Sequence, residues 1–191
     1  PVTFEQLIQR YGDASTVLRA NVGLRIASRV VVRLATFEAR SFAELERHAR
    51  RIAWTQVVRP GDAVRFRVTC RKSRLYHSDA VAQRFADAVG RGVPGVRAAG
   101  ASGGGVDEDA AEQDSPGDDD AQLFLVRVMR DRCTVSADAS GALLHRRGYR
   151  QATAKAPLRE TLAAALLSAS GWTGSAPLCD PLCGSGTIPI E

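Results

Sequence analysis

The sequence predicts an α+β fold that is followed by the opening of an α/β unit. Between residues 63 and 138, a predicted strand is followed by a helix and then by two further strands. This order suits a mixed sheet with helices on one face. Near residue 180, the apolar run 177–179 leads into Asp180 and a glycine loop. The apolar run predicts a buried parallel strand, the glycines predict a tight loop, and the residues after them predict the first turn of a helix.

The first forty residues predict two helices and a strand. Apolar residues at positions 4, 7, 8 and 11 form a helical stripe, and a second amphipathic helix is expected over about residues 13–20. Residues 27–37 are dense in β-branched side chains, which is typical of a strand. Arg25, Arg29 and Arg33 lie in this region and are assigned to solvent, with RNA as the alternative.

The next hundred residues contain clearer signals. Ser41 and Glu44 have the spacing of a capping box, which predicts a helix from Phe42, and Trp54 is expected in the core. Residues 63–70 alternate apolar and polar side chains, which predicts a half-buried strand with a basic outer face. We expect a helix over residues 80–90. A hairpin is expected from strands 123–129 and 133–138, joined by a turn at residues 130–132.

The stretch of residues 100–120 interrupts this pattern. It has no aromatic residue, one branched aliphatic residue and many Gly, Asp and Glu, so it cannot bury enough apolar surface to order itself. We predict a disordered acidic insert between a helix and a strand of one domain. This stretch contains eight acidic residues. Without them, the chain has 26 basic and 13 acidic residues, so the rest of the chain is more basic than the net charge indicates. This balance favours a partner with a phosphate backbone, although an arginine-rich solvated surface is the alternative.

Cysteine usage and hydropathy limit the class of protein. The four cysteines form no CxxC pair, and no Cys or His cluster completes a metal site, so we predict buried thiols in a cytoplasmic protein without a metal. No apolar run of about 18 residues is present, which argues against a membrane span. The chain begins at Pro1 and ends within a βα unit, which suggests a piece of a longer protein.

The loop of residues 180–187, DPLCGSGT, is the strongest chemical signal. Glycines let the backbone turn sharply and approach a ligand, and free N–H groups at a helix start favour an anionic group. Asp180 can accept hydrogen bonds from ammonium or hydroxyl groups. A Walker loop is excluded, because no Gly-Lys-Ser/Thr follows. A dinucleotide loop is disfavoured, because Pro189 stands where a third small residue is needed.

Two basic segments are candidates for phosphate binding. Arg71, Lys72 and Arg74 follow the strand 63–70, beside Tyr76 and His77, and a solvated loop is the alternative. The second segment surrounds Gly148 and Tyr149 in a predicted connector. Its cations are Arg146, Arg147 and Arg150.

Three strings together resemble one family. They are LLHRRGYR at residues 143–150, APLRETLAA at residues 156–164 and the DPLCGSGT loop. In order and spacing they resemble the THUMP domain-containing S-adenosylmethionine-dependent RNA methyltransferases that modify guanine N2, and most of all the large-subunit rRNA group. The likeness extends over about residues 4–191 and is most specific in the last fifty.

The resemblance implies a division of the chain. Residues 1–40 would be a ferredoxin-like N-terminal segment, and residues 41–140 a THUMP RNA-binding domain with the insert at 100–120. Residues 141–156 would be a linker, and residues 157–191 the start of a Rossmann-like methyltransferase domain. In that last part we predict a helix with a buried stripe of Leu158, Leu162, Ala165 and Leu166 that ends at Gly171.

The resemblance also implies the site residues. S-adenosylmethionine would be the cofactor and RNA the partner, with rRNA favoured over tRNA. The residues implied near the cofactor are Asp180, Pro181, Cys183, Gly184, Ser185, Gly186, Pro157, Glu160 and Thr161. For Glu160 and Thr161, an ordinary helix start is the alternative.

The family's Asn/Asp-Pro-Pro-aromatic motif, which holds the target base, does not occur in these 191 residues. We therefore expect no catalytic residue within the chain, and no methyl transfer by it alone. The alternatives are a non-catalytic THUMP module, a tRNA guanine-N2 methyltransferase and a dehydrogenase-type dinucleotide domain.

Overall fold

The computed structural model describes residues 14–103, 121–146 and 158–191, and these form two compact units. Of these residues, 31–103 and 121–141 belong to the first unit, and 14–30, 142–146 and 158–191 belong to the second. The helix predicted over residues 4–11 and the residues 104–120 of the predicted insert lie outside the described residues.

The first unit is built on a five-stranded mixed sheet with helices on one face. Its elements, in chain order, are β1 (Val31–Glu38), α2 (Phe42–Ala49), a 3-10 turn (Trp54–Gln56), β2 (Ala63–Arg71), α3 (Ser78–Gly92), β3 (Arg97–Gly103), β4 (Gln122–Met129) and β5 (Arg132–Asp138). The strand order is β1-β5-β4-β2-β3. β2 runs parallel to β3 and β4, whereas β5 is antiparallel to β4 and β1. This agrees with the predicted α+β class.

The core lies between α2, α3 and one face of the sheet. Alternate side chains of β2 and β4, such as Phe66 and Phe124, point into it and are buried. The rings of Phe66 and Phe124 are stacked, with their centroids 5.2 Å apart. Trp54 and Phe124 pack edge to face, with their centroids 5.3 Å apart. The indole Nε1 of Trp54 donates to the Ala49 carbonyl at 2.9 Å, which ties the end of α2 to this cluster.

α2 begins at Phe42 after the predicted Ser41 cap, but the return bond from Glu44 goes to Arg40 and not to Ser41. Ser41 Oγ accepts from the Glu44 N–H at 3.3 Å, and the Glu44 carboxylate accepts from the Arg40 N–H at 2.7 Å. Two otherwise unpaired backbone donors at the helix start are thereby satisfied.

β1 pairs with β5 along its length, so residues 31–38 belong to the same sheet as β2–β5. The sheet corrects one prediction for this unit. β3 reaches Gly103, so residues 100–103 belong to a strand and not to a disordered insert. The small residues of β3 have little strand propensity, but pairing with β2 supplies the backbone hydrogen bonds.

The second unit contains three described helices: α1 (Ala14–Gly23), α4 (Glu160–Ser170) and α5 (Thr187–Ile190). α4 packs against α5 and ends at Gly171, whose φ of 71° confirms the predicted glycine stop. The chain near α1 is tied to the end of α5 by an ion pair of 3.7 Å between Arg25 and Glu191.

Two predictions for the second unit are wrong. Residues 177–179 are exposed and form no strand, because a buried parallel strand needs neighbouring strands and the described residues of this unit contain none. The buried side of α4 consists of Ala163 and Ala164, whereas Leu162 and Leu166 are each 50% exposed. The predicted stripe was therefore rotated relative to the observed one.

Candidate functional site

The loop that follows residue 179 is shaped by Asp180 and two glycines. Asp180 Oδ1 accepts from the Leu182 N–H at 3.1 Å, which turns the chain immediately after the aspartate. Gly184 and Gly186 have φ values of 54° and 76°, in the left-handed region that glycine enters without strain. A Cβ at either glycine would meet only ordinary contacts, so the backbone conformation, and not lack of space, requires glycine.

The outer surface of this loop is open to solvent. Pro181, Cys183 and Gly184 are exposed, and Leu182 is 91% exposed. Asp180, Ser185 and Gly186 are half-buried, and Thr187 anchors the start of α5 in the interior. A ligand can therefore approach the loop backbone and the Asp180 carboxylate from solvent.

Glu160 and Thr161, the other described residues predicted near the cofactor, occupy the first turn of α4. Both are half-buried, and α4 contacts the helix that follows the glycine loop. The two predicted segments therefore belong to one unit and to neighbouring helices. Pro157 lies outside the described residues.

The predicted RNA-binding loop, residues 71–74, is held by an aspartate that sequence reasoning did not assign. Asp131 Oδ1 accepts from the Ser73 hydroxyl and from the Arg74 N–H, each at 2.8 Å. The Arg130 N–H donates to the Arg71 carbonyl at 3.2 Å. Lys72 and Arg74 remain exposed, so the hairpin between β4 and β5 fixes the loop backbone while its cations face solvent.

The turn itself explains why Asp131 can do this. Arg130 and Asp131 are the two residues between β4 and β5, and both have positive φ, at 50° and 63°. Such a two-residue turn matches the twist of a hairpin, and aspartate tolerates this conformation better than most residues. The predicted turn included Arg132, which the structure places in β5.

Asp131 is in turn kept ionised by the loop that it holds. The pKa of its carboxyl lies below the ordinary value of 3.8 because the Arg74 N–H donates to it, with the Ser73 hydroxyl and the charges of Arg74 and Arg40 acting in the same direction. Folding therefore lowers this pKa. The ionised contact contributes stability above pH 3.8 and is lost as the pH falls through the lowered pKa.

We expect Asp131→Gly to release the 71–74 loop. Glycine fits the positive φ of residue 131, so the variant removes the side-chain acceptor without straining the turn. Loss of this hydrogen bond to a charged acceptor should accelerate hydrogen exchange of the Arg74 amide by about tenfold.

Asp131→Asn is the matched control, since the amide oxygen can still accept and asparagine tolerates the turn. Its Arg74 amide should stay protected, and should not lose protection below pH 3.8 as the wild type does. Equal Arg74 exchange in wild type and Asp131→Gly would exclude the anchoring role.

The remaining predicted RNA contacts are only partly described. Arg146 is exposed, and its N–H donates to the Leu143 carbonyl at 2.9 Å. Arg147 and Arg150 lie outside the described residues. Beside the 71–74 loop, the rings of Tyr76 and His77 stand 4.0 Å apart, and Tyr76 is 70% exposed.

A basic concavity on the face of the sheet opposite α2 and α3 was not predicted as a site. It has a volume of about 640 Å³ and is lined chiefly by residues of β1, β4 and β5. Its charged lining residues are Arg33, Glu38, Arg127, Arg130 and Arg132. The sequence carries one of these arginines in each of β1, β4 and β5, but the pairing of β1 with β5 and of β5 with β4 was needed to bring them together.

The described parts of the chain contain neither a metal-binding cluster nor a membrane-spanning helix. Within residues 14–103, 121–146 and 158–191, no three His, Cys, Asp or Glu side chains are grouped to hold a metal ion. Among the described helices, none has the length and apolar character needed to cross a bilayer.

The thiol of Cys133 is buried, and this burial raises its pKa to about 12.

Comparison with known proteins links the second unit to a methyltransferase domain. Residues 147–191 match the family of RMKL-like methyltransferase domains. The chain is 34% identical over 184 residues to the candidate RNA methyltransferase slr0064 of Synechocystis sp., and the match covers 94% of the chain and 44% of that protein. It is 35% identical over 187 residues to the ribosomal RNA large subunit methyltransferase K/L of Photobacterium profundum, covering 94% of the chain and 24% of the relative. The chain thus spans less than half the length of these relatives.

Solved structures agree on the mixed α/β fold. A Listeria monocytogenes protein described as a predicted N6-adenine-specific DNA methylase superposes with a TM-score of 0.73 at 33% identity, over 94% of this chain and 44% of that one. SMU.472, a methyltransferase by description, superposes with a TM-score of 0.66 at 26% identity, over 92% and 44%, and was crystallised with S-adenosylhomocysteine. TrmN from Thermus thermophilus, at 23% identity and a TM-score of 0.63 over 93% and 47%, shares the fold.

Proposed function

We propose that this chain is the front part of an S-adenosylmethionine-dependent RNA methyltransferase. The observation that carries the proposal is the exposed 180–187 loop, whose two positive-φ glycines lie within the segment that matches a methyltransferase domain. The S-adenosylhomocysteine bound to SMU.472 supports the same cofactor here. The relatives named as RNA methyltransferases support RNA as the substrate class.

The cofactor-binding residues in this proposal are those of the loop, with the first turn of α4 beside them. The half-buried Asp180 carboxylate can accept from ammonium or hydroxyl groups, and the glycine backbone leaves room for close approach. This donor and acceptor set fits an amino-acid nucleoside. The proposed set is Asp180, Pro181, Cys183, Gly184, Ser185, Gly186, Glu160 and Thr161, with Pro157 from the sequence alone.

The proposed reaction is methylation of the exocyclic N2 amine of a guanine in large-subunit rRNA. The bound cofactor supplies a methyl group on a sulfonium, so that an N–C bond forms, the C–S bond breaks with its electron pair kept by sulfur, and the amine loses a proton. Because the amine is inaccessible within a stacked helix, the guanine must be turned outward. The residues described here hold the cofactor and capture the RNA, and the base-holding Asn/Asp-Pro-Pro-aromatic motif would lie elsewhere in the complete protein.

In this proposal the first unit is the RNA-capturing part, acting in the cytoplasm. Lys72 and Arg74 are exposed on a loop that Asp131 holds in place, and Arg71 begins that loop. Together with Arg146, Arg147 and Arg150, they would contact phosphates. The THUMP identity of residues 41–140 and the ferredoxin-like identity of residues 1–40 belong to the same proposal, except that β1 shares the sheet of the larger domain.

The proposal is tested by methyl transfer from methyl-labelled S-adenosylmethionine, catalysed by the complete protein, with unmodified ribosomal RNA, transfer RNA and DNA offered in parallel. We expect label in RNA that digestion releases as N2-methylguanosine. Label only in transfer RNA would favour the tRNA alternative, and RNA binding without any transfer would favour a non-catalytic module. Label recovered as N6-methyladenine in DNA would contradict the proposal and favour the activity in the description of the Listeria protein.

A further inference from the structure

We propose that the basic concavity on the face of the sheet opposite α2 and α3 binds single-stranded RNA and continues the phosphate-binding surface of the 71–74 loop. The proposal rests on the RNA methyltransferase function and adds to it a surface and a form of RNA. We call this surface the sheet groove. It is lined by Val31, Arg33, Glu38, Leu125, Arg127, Met129, Arg130, Arg132, Thr134 and Ser136.

The register of the strands explains the shape of the sheet groove. β5 lies between β1 and β4. On the face opposite α2 and α3, it presents the short side chains of Thr134 and Ser136. Thr134 pairs with Arg127 on β4, and Ser136 pairs with Arg33 on β1. Small hydroxyl side chains therefore form the floor, and longer arginines stand on both sides of it.

The charge of the sheet groove selects a polyanion. Among the described residues that line it, four are arginines and one, Glu38, carries a carboxylate. Arg127, Arg130 and Arg132 are exposed. Guanidinium groups donate to phosphate in a fork, and their planes stack on unpaired bases. Leu125 and Met129 add apolar surface against which a base can pack. This combination of cations, stacking planes and apolar patches is typical of surfaces that bind single-stranded nucleic acid.

The dimensions favour one strand over a duplex. The sheet groove crosses three strands, and neighbouring strands are about 4.8 Å apart, so its floor is only about 10 Å wide. A face of this kind suits splayed, unstacked nucleotides, whereas double-stranded RNA is recognised across successive grooves over many base pairs.

The sheet groove is continuous with the predicted RNA-binding loop. At its end, Arg132 pairs with Met129 on β4, and Met129 pairs with Arg71 on β2. The Arg130 N–H bonds to the Arg71 carbonyl, and Asp131 holds Ser73 and Arg74. A single RNA strand that leaves the sheet groove at Arg132 therefore meets the cations of the 71–74 loop. Asp131 is the acidic residue of the hairpin turn on this path, and its carboxylate is already hydrogen-bonded to Ser73 and Arg74.

The test compares three double variants of the complete protein. Arg127→Ala with Arg132→Ala removes two sheet-groove cations. Arg47→Ala with Arg91→Ala removes two exposed cations from α2 and α3, on the helical side. Arg127→Lys with Arg132→Lys keeps the charge but removes the planar fork. The probe is fluorescein-labelled oligoadenylate, alone or paired with oligouridylate, and anisotropy is recorded over a series of KCl concentrations, with thermal melts to check folding.

We expect the sheet-groove alanine variant to bind single-stranded probe at least about tenfold more weakly. Its slope of log affinity against log salt should fall by about 1.4, at about 0.7 for each lost phosphate contact. The helical-side variant should stay within about twofold of wild type, and the lysine variant should keep the slope but lose part of the affinity. Equal losses in the two alanine variants would overturn the proposal, as would an equal loss for the duplex probe.

Failure of this inference is separable from failure of the proposed function. If wild-type protein methylates ribosomal RNA while the sheet-groove variant binds oligoadenylate normally, only the sheet groove is misassigned. In that case, Arg71→Ala with Lys72→Ala and Arg74→Ala should still flatten the salt slope. If the wild type transfers no methyl group to any RNA, the proposed function fails whatever the sheet-groove variants do.

Discussion

Replacement of Asp180 by alanine in the complete protein is expected to weaken S-adenosylmethionine binding by about ten- to hundredfold and to leave RNA binding unchanged. The variant removes a carboxylate whose hydrogen bonds to a ligand are worth about 1.5–3 kcal/mol, and tenfold in affinity corresponds to about 1.4 kcal/mol. It also removes the acceptor for the Leu182 N–H, which loosens the turn after residue 180. Isothermal titration with the cofactor, alongside an RNA-binding assay, measures both quantities.

Two further variants separate the ligand role of Asp180 from its role in the turn. Asp180→Asn keeps an oxygen that can accept from the Leu182 N–H but loses the negative charge, so an intermediate loss is expected if the carboxylate contacts the cofactor. Leu182→Ala changes the most exposed side chain of the same loop and should leave affinity within about twofold. Wild-type cofactor affinity in Asp180→Ala would refute the assignment of the loop.

Truncation of Trp54 to alanine is expected to be the most damaging single change to the first unit, at about 3–5 kcal/mol of unfolding free energy. Trp54 is 2% exposed, and its ring edge meets three phenylalanine rings, those of Phe66, Phe85 and Phe124. Its loss leaves a cavity between the helices and the sheet, and it deprives the Ala49 carbonyl of the indole donor. Urea unfolding followed by circular dichroism measures the change.

Trp54→Phe provides the comparison for the packing argument. Phenylalanine keeps most of the aromatic volume and loses the Nε1–H donor, so a loss of about 1–2 kcal/mol is expected. Trp172, which is 40% exposed in the second unit, is the control tryptophan, and Trp172→Ala should alter unfolding of the first unit little. A Trp54→Ala protein as stable as Trp172→Ala would show that the aromatic cluster is not the centre of this core.

The sequence predicted most elements of the first unit because their signals are local. Ser41 and Glu44 mark a helix start by direct hydrogen bonds, and the alternation of residues 63–70 follows from the two-residue period of a strand. β3 escaped prediction because its small residues carry no propensity of their own. The strand exists because β2 offers its edge, a contact that no local pattern reveals.

In the candidate site too, features set by local sequence were predicted, and features set by packing were not. The glycines at residues 184 and 186 were recognised from the string alone, since a positive φ at each position requires a residue without Cβ. The strand expected at residues 177–179 was inferred from an apolar run, yet those residues are exposed, because burial depends on which other elements pack there. The same reason applies to α4, where alanines and not leucines face inward.

By itself, the sequence determined the α+β class, the hairpin, the capped helix and the glycine turn of the DPLCGSGT loop, all of which depend on residues close together in the chain. Only the tertiary structure decided that β1 belongs to the same sheet as β5, that Asp131 anchors the 71–74 loop and that arginines of β1, β4 and β5 share one face. These contacts join residues far apart in sequence. Their partners are selected by the packing of the whole sheet, and periodicity within one segment carries no information about them.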